Sequence, residues 1–236
     1  MPTVLTRLTW GLFALSLGLL VWPPDPGWAG DTFLRIDGLT RLMAVVTTFV
    51  SGIVHSFSRR YMAGARHLDR FYARLFGLTL IVLLLTAANH LVLFVLAWTA
   101  MGWVLADLIG HVRGWPQARA ASGYARRSFL SGSALLAGAL GLLGVQAGTW
   151  TIGGVLAAVG TLSAPVVVAA SVLLVLAAMI QSALVPFHRW LLSSMTAPTP
   201  VSGFMHAGLV NAGGVLLARF APVVFELSAV MLGIVF

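Results

Sequence analysis

Pro165-Val-Val-Val-Ala-Ala-Ser-Val-Leu-Leu-Val-Leu-Ala-Ala-Met-Ile-Gln-Ser-Ala-Leu184 carries no charged side chain. About 20 apolar residues in helical form cross the hydrocarbon layer of a bilayer, and this stretch meets that length. The same signal repeats on both sides of it. Apolar stretches run near 8–22, 39–57, 73–88, 91–110, 128–148, 201–219 and 221–236, which makes about eight spans. The third and fourth are joined only by Asn89 and His90, a tight helical hairpin. No alternating strand pattern is present, which argues against a β-barrel. The fold class is therefore all-α, a polytopic transmembrane helical bundle, with residues 1–236 as a single transmembrane domain. Gly138, Gly141 and Gly144 predict close helix packing in the fifth span.

Composition agrees. The 236 residues are 59% hydrophobic and 8% charged, with mean hydropathy +0.98. Soluble domains carry about a quarter charged residues, so an ordinary soluble globular protein, a disordered chain and a coiled coil are excluded. The chain has no Cys, hence no disulfide, thiolate metal site or iron–sulfur ligation. All 14 basic residues are Arg, and the net charge of +8 reads as topology charge rather than a nucleic-acid signal.

The loops set orientation. Residues 58–74 hold Arg59, Arg60, Arg66, Arg70 and Arg74, and residues 111–127 hold Arg113, Arg119, Arg126 and Arg127. Two spans separate these loops, so both lie on one side. Loop 23–38, with Asp25, Asp31 and Asp37 against Arg35, lies on the other. The Arg bias puts the Arg-rich loops, the N-terminus and the segment 185–200 in the cytoplasm, in a cell inner membrane. These loops would contact a partner or anionic lipid, or serve only for positive-inside retention. The first span has a second reading as a signal peptide ending at Gly27-Trp28-Ala29, which Pro23, Pro24 and Pro26 oppose.

Ionisable and polar groups at membrane depth need a partner or a wet cavity. Asp107 lies near the end of the fourth span, either in a proton relay or as a helix-end carboxylate paired with a loop Arg. Thr99, eight residues earlier, is about 80° away around the helix. His206, in the seventh span, can pass protons or sit neutral on a backbone carbonyl. Pro198 and Pro200 precede that span, and Gly208 and Gly213 interrupt it, so it can break and free backbone groups for an ion path. Gln181 and Ser182 read first as interhelical hydrogen bonders. Arg219 and Glu226, seven apart, could share a face and read as a structural ion pair. His55 and His90 read as interfacial. The six His have no metal-ligand spacing, and no Walker A or dinucleotide motif is present.

Ser182-Ala-Leu-Val-Pro186-Phe187-His188-Arg189-Trp190-Leu191, followed by Ala197-Pro198-Thr199-Pro200-Val201-Ser202 and His206-Ala207, resembles the antiporter-like proton-channel subunits of NADH:quinone oxidoreductase and Mrp-type antiporters. Asp37-Gly38-Leu39, Val54 to Met62, Leu96-Ala97-Trp98 and Leu108-Ile109-Gly110 resemble the same family. The resemblance runs from about 33 to 222 and implies the first five-helix repeat of that fold, with a broken helix and without the second inverted repeat. The family carries a Glu after the Trp of its fifth helix, where this chain has Thr99. It carries a buried Lys where this chain has Gln181, and there is no Lys anywhere in the sequence. Within the family, His206-Ala-Gly-Leu-Val-Asn211-Ala-Gly-Gly214, Arg219-Phe-Ala-Pro222 and the Trp98-Thr99 region resemble the membrane subunits of inorganic-carbon accumulation complexes.

The resemblance implies a cation-coupled membrane subunit, not itself an enzyme, that energises CO2 hydration by a large zinc partner resembling β-carbonic anhydrase (DabA-type) on the cytoplasmic side. Zinc would belong to that partner, with no cofactor on this chain. His206 would be the central proton carrier, with Asp107 where protons come in and Thr99, Gln181 and Ser182 lining a hydrated path. The alternatives are a proton-translocating subunit of an NADH dehydrogenase or Mrp complex, and a scaffold that conducts no ions.

Overall fold

The computed structural model describes residues 1–21 and 32–226. The signal-peptide motif at 27–29, Asp25 and Asp31 lie outside these residues. So does most of the expected eighth span, of which only 221–226 is described, as helix. Among the described residues, seven helical segments are long and apolar enough to cross a membrane. They are α1 (Pro2–Val21), α2 (Gly38–Tyr61), α3 (Leu68–Ala87), α4 (Leu91–Ile109), α5 (Pro116–Ala147), α7 (Ala164–Gln181) and a composite Thr199–Arg219. The composite comprises α9 (Thr199–Phe204), a π turn (Met205–Leu209) and α10 (Ala212–Arg219). The short helices α6 (Ile152–Ala158) and α8 (Arg189–Ser193) lie between spans.

Local chemistry sets the boundaries. Asp37 caps α2 by accepting the Thr40 N–H at 2.9 Å, which satisfies one of the first-turn donors a helix leaves open. Pro116 starts α5, where its missing N–H costs nothing, and Gly148 ends it at φ 65°, a left-handed conformation suited to glycine. The two Arg-rich loops are shorter than the charge pattern implies. α3 begins at Leu68 and α5 at Pro116, so Arg70, Arg74, Arg119, Arg126 and Arg127 are helical rather than loop residues.

The helices pack side by side, with α5 against both α4 and α7, α1 along α2, and α10 on α7. At the end opposite the Arg-rich loops, three connecting segments are joined by backbone pairing. Arg35 donates to Ala87 O at 2.7 Å, Asn89 to Phe33 O at 2.8 Å, and Ile152 to Asn89 O at 2.6 Å. The residues between α3 and α4 are therefore a pairing strip as well as a hairpin. Of Gly138, Gly141 and Gly144, Gly144 is the one that close packing requires: a β-carbon there would meet Leu91 at 2.9 Å, while Gly138 has ordinary contact distance and Gly141 faces open space.

Candidate functional site

The seventh span is broken, as its prolines and glycines imply. Pro198 caps α9 and Pro200 sits in its first turn, where proline lacks nothing the helix needs. The helix then widens into the π turn. Val210 donates back to Met205 O at 3.0 Å, a five-residue step that puts one extra residue into the turn. At its end, Leu209 O accepts from Gln181 Nε2 at 3.1 Å. Gln181 is 2% exposed and closes α7, so its amide is committed to the break in the neighbouring helix. Gly213 lets α10 approach α7 beside this bond. A β-carbon there would overlap both the Ala178 carbonyl and the Ser182 hydroxyl.

His206 and Gly208 lie in the π turn with their surfaces exposed. A cavity of about 160 Å³ adjoins the break, walled by α2, α3, α4 and the composite helix, with Trp98, Thr86, Asn211 and Arg219 in its lining. His206, Thr99, Gln181 and Ser182 are not among its lining residues. Thr99 donates its hydroxyl to Val95 O at 2.8 Å within its own helix. The structure thus joins Gln181, Ser182 and Gly213 at the break, and it leaves Thr99 and His206 outside that group.

Asp107 belongs to a separate cluster. Arg74 of α3 reaches its Oδ2 at 2.7 Å and Arg126 of α5 its Oδ1 at 2.8 Å, and Arg126 also lies 4.5 Å above the Trp103 ring. The carboxylate is thus a helix-end ion pair tying three helices together, and the relay reading has no free carboxylate to use. Both partners are helical, not loop, residues.

Arg219 corrects the expected pair with Glu226. Its guanidinium donates to Asp37 Oδ2, to Thr40 Oγ1 at 3.0 Å and to Thr86 O. The single hydroxyl hydrogen of Thr40 has Asp37 Oδ1 at 2.9 Å and Thr86 O at 2.8 Å as alternative acceptors. One network therefore joins the far ends of α2, α3 and α10. Burial pushes the Asp37 carboxyl up, but the Thr40 N–H, the Arg219 charge and the Thr40 hydroxyl outweigh it and hold the group below its usual range. Sequence reasoning missed this pair. The available signal was Asp37 three residues before Thr40 at a helix start, together with a lone Arg at the end of an apolar span.

His55 is also corrected. It is fully buried in α2 rather than interfacial, and its Nδ1 is 2.8 Å from Ser51 O. His90 does sit at the bundle end, where it accepts the Val92 N–H and stacks 5.3 Å from Phe33.

The family described as NADH:quinone oxidoreductase/Mrp antiporter, TM, matches residues 88–236. That described as NADH-Ubiquinone oxidoreductase (complex I), chain 5 N-terminus, matches residues 29–72. The chain is 35% identical over 208 residues to the probable inorganic carbon transporter subunit DabB1 of Halothiobacillus neapolitanus, covering 84% of this chain and 36% of that one. It is 33% identical over 213 residues to NADH-quinone oxidoreductase subunit L of Mycobacterium tuberculosis, covering 89% and 33%. The fold matches a chain of the Mrp complex from a Dietzia species with TM-score 0.80 at 23% identity, covering 96% of this chain and 29% of that one. It also matches a chain of an archaeal membrane-bound sulfane sulfur reductase with TM-score 0.83 at 18% identity, covering 93% and 47%. The chain spans about a third of the length of these two curated relatives. It is a membrane subunit belonging to the NADH:quinone oxidoreductase/Mrp antiporter family.

Proposed function

We propose that this chain is the cation-coupled membrane subunit of a two-component uptake complex for dissolved inorganic carbon, working with a zinc-bearing, carbonic-anhydrase-like partner. The observation that carries the reading is the pair of uncharged residues at the break and in α4. Gln181 is bonded to the Leu209 carbonyl and Thr99 to its own helix, where the respiratory members that the sequence resembles carry Lys and Glu. Relatives named inorganic carbon transporter subunits DabB, at 34–35% identity, support it. A proton gradient coupled through this chain would draw CO2 hydration on the partner in one direction.

In this reading His206 is the proton carrier. It stands on the π turn with an exposed imidazole, whose two ring nitrogens can take up and release a proton. Gln181 holds the opened helix in place through the Leu209 carbonyl, with Ser182 packed beside Gly213. The partner docks at the Arg-rich end, which faces the cytoplasm by the positive-inside rule. There a cleft of about 720 Å³ is lined by Arg66, His67, Arg113 and Trp115. Zinc chemistry is assigned to the partner.

The test is growth rescue of a carbonic-anhydrase-deficient strain in air, with this chain and a zinc-bearing, carbonic-anhydrase-like partner expressed together. Wild type rescues and His206→Ala does not; rescue that is unchanged in His206→Ala removes the carrier role. A second reading, a proton-translocating subunit of an NADH dehydrogenase or Mrp-type complex, draws on the 33% identity to subunit L. It requires co-purification with several redox or antiporter subunits in place of one large zinc protein.

A further inference from the structure

Between α2 and α3 a file of polar side chains runs from the Arg-rich end into the apolar interior. At its mouth, a pocket of about 210 Å³ is lined by Ser58, Arg59 and Tyr72. The Tyr72 ring is 1% exposed, and its hydroxyl is buried with no hydrogen-bond partner among the described residues. Next inward is His55, whose ring centre is 5.9 Å from that of Tyr72 and 6.3 Å from that of Phe76.

The tautomer of His55 follows from its partner. Nδ1 lies 2.8 Å from Ser51 O, and a carbonyl only accepts, so Nδ1 carries the hydrogen. Nε2 is then a bare acceptor, and it too is buried without a partner. A donor lacking an acceptor and an acceptor lacking a donor therefore sit on neighbouring rings. Buried polar groups are nearly always paired by protein or water, and a pair of opposite sense suits a bridging water.

The file continues. Ser51 Oγ is 3.2 Å from His55 Nδ1 and 2.6 Å from Thr79 Oγ1, and all three residues are fully buried. One turn farther, Thr47 of α2 and Val82 of α3 line the cavity beside the broken helix, which also reaches Thr86 and Arg219. The hydrogen-bonded file thus runs from the Arg-rich end to Thr79, and a cavity one helical turn farther on lies between it and the Arg219–Asp37 network.

We propose that this file is a proton pathway separate from the broken-helix residues, with His55 as its titrating group inside the membrane. Water held at Tyr72 delivers a proton to the Nε2 lone pair. The imidazolium so formed releases its Nδ1 proton to Ser51 Oγ, Ser51 passes its own hydroxyl proton to Thr79 Oγ1, and Thr79, whose hydroxyl otherwise donates to Leu75 O at 3.1 Å, turns to release its proton to water reaching it from the cavity one helical turn away. Each group accepts one proton for each it releases, and turning of the hydroxyls with a return of the His tautomer resets the file. The inference rests on the cation-coupling reading and deepens it by adding a proton route away from the broken helix.

The experiment uses the complex purified through a tag on this chain and reconstituted into vesicles containing a pH dye, with a potassium diffusion potential driving uptake. His55→Ala is expected to lower proton flux at least tenfold, with partial restoration by added imidazole, a rescue that a purely structural His would not show. Tyr72→Phe and Thr79→Val are expected to lower it several-fold. Flux unchanged in His55→Ala overturns the pathway while a conducting wild type keeps the cation-coupling reading. If wild-type vesicles carry no proton current, that reading falls. The site itself is then judged by water-edited solid-state NMR of the ¹⁵N-His-labelled complex: a hydrated His55 Nε2 supports it and a dry one overturns it.

Discussion

Arg219 and Asp37 stand 182 residues apart in sequence and are hydrogen-bonded to each other at one end of the bundle. The Arg side chain is 8% exposed and the Asp 28%, so removal of either charge strands the other in a poorly solvated place. Asp37→Asn is expected to lower unfolding stability by about 2–3 kcal/mol, below the range for fully buried pairs because water still reaches the carboxylate. Thermal unfolding in detergent, with Arg219→Gln and the double variant, measures the coupling. Additive losses would show that the pair contributes nothing.

The same pair gives stability a defined dependence on acid. The Asp37 carboxyl is held below its ordinary value in the fold, so its contribution is complete above the unfolded pKa of about 3.9 and is lost as pH falls through the lower folded value. The gap in melting temperature between wild type and Asp37→Asn should be constant from pH 7 to 5 and close below about pH 4. A gap that widens on acidification contradicts this direction.

Gly213→Ala should be severe for so small a change. The added methyl would overlap the Ala178 carbonyl and the Ser182 hydroxyl, and such overpacking costs about 1–3 kcal/mol. Gly214→Ala, one residue on with nothing near its β-position, should be close to neutral. Comparison of the two by thermal unfolding separates packing from glycine content.

Gln181→Leu removes the amide that meets Leu209 O. An orphaned carbonyl inside a protein costs about 1–3 kcal/mol, and the loss should appear as faster hydrogen exchange in 205–212. Unaltered exchange there would mean that the π turn stands without Gln181.

Asp107→Asn separates the two readings of this residue, a proton relay and a helix-end carboxylate paired with Arg. With Arg74 and Arg126 on its two oxygens and a quarter of its surface exposed, its loss should cost about 1 kcal/mol or less, an effect that added salt shrinks. Vesicle proton flux should stay above half of wild type, and a collapse of flux would restore the relay reading.

Much of this was legible in the residues. The uncharged run from Pro165 gives a span by length alone, and the prolines and glycines of 198–214 signal an irregular helix, although Pro198 and Pro200 lie at its start and Gly213 inside α10. Gln181 was read as an interhelical hydrogen bonder, and it is one. The ion pairs were not legible. Charge pairing depends on which helix ends meet in space, so Glu226, seven residues away, looked a better mate for Arg219 than Asp37. His55 was misplaced for a related reason. Its distance from the Arg cluster along the chain suggested the interface, whereas α2 continues past it to Tyr61 and α3 covers it. Thr and Ser in α2 and α3 gave no signal singly, because a hydroxyl bonded to its own helix is common.

The π turn also sets a phase. One residue of an α-helix turns the chain by about 100°, and the widened stretch Met205–Leu209 absorbs one residue more than a regular turn would. Shortening this stretch by one residue would rotate all of α10 by about a quarter revolution. Gly213 would leave its seat against α7, and Arg219 would point away from Asp37. Two contacts at opposite ends of α10 thus share a single setting, and the irregularity that opens the helix is what keeps both in alignment.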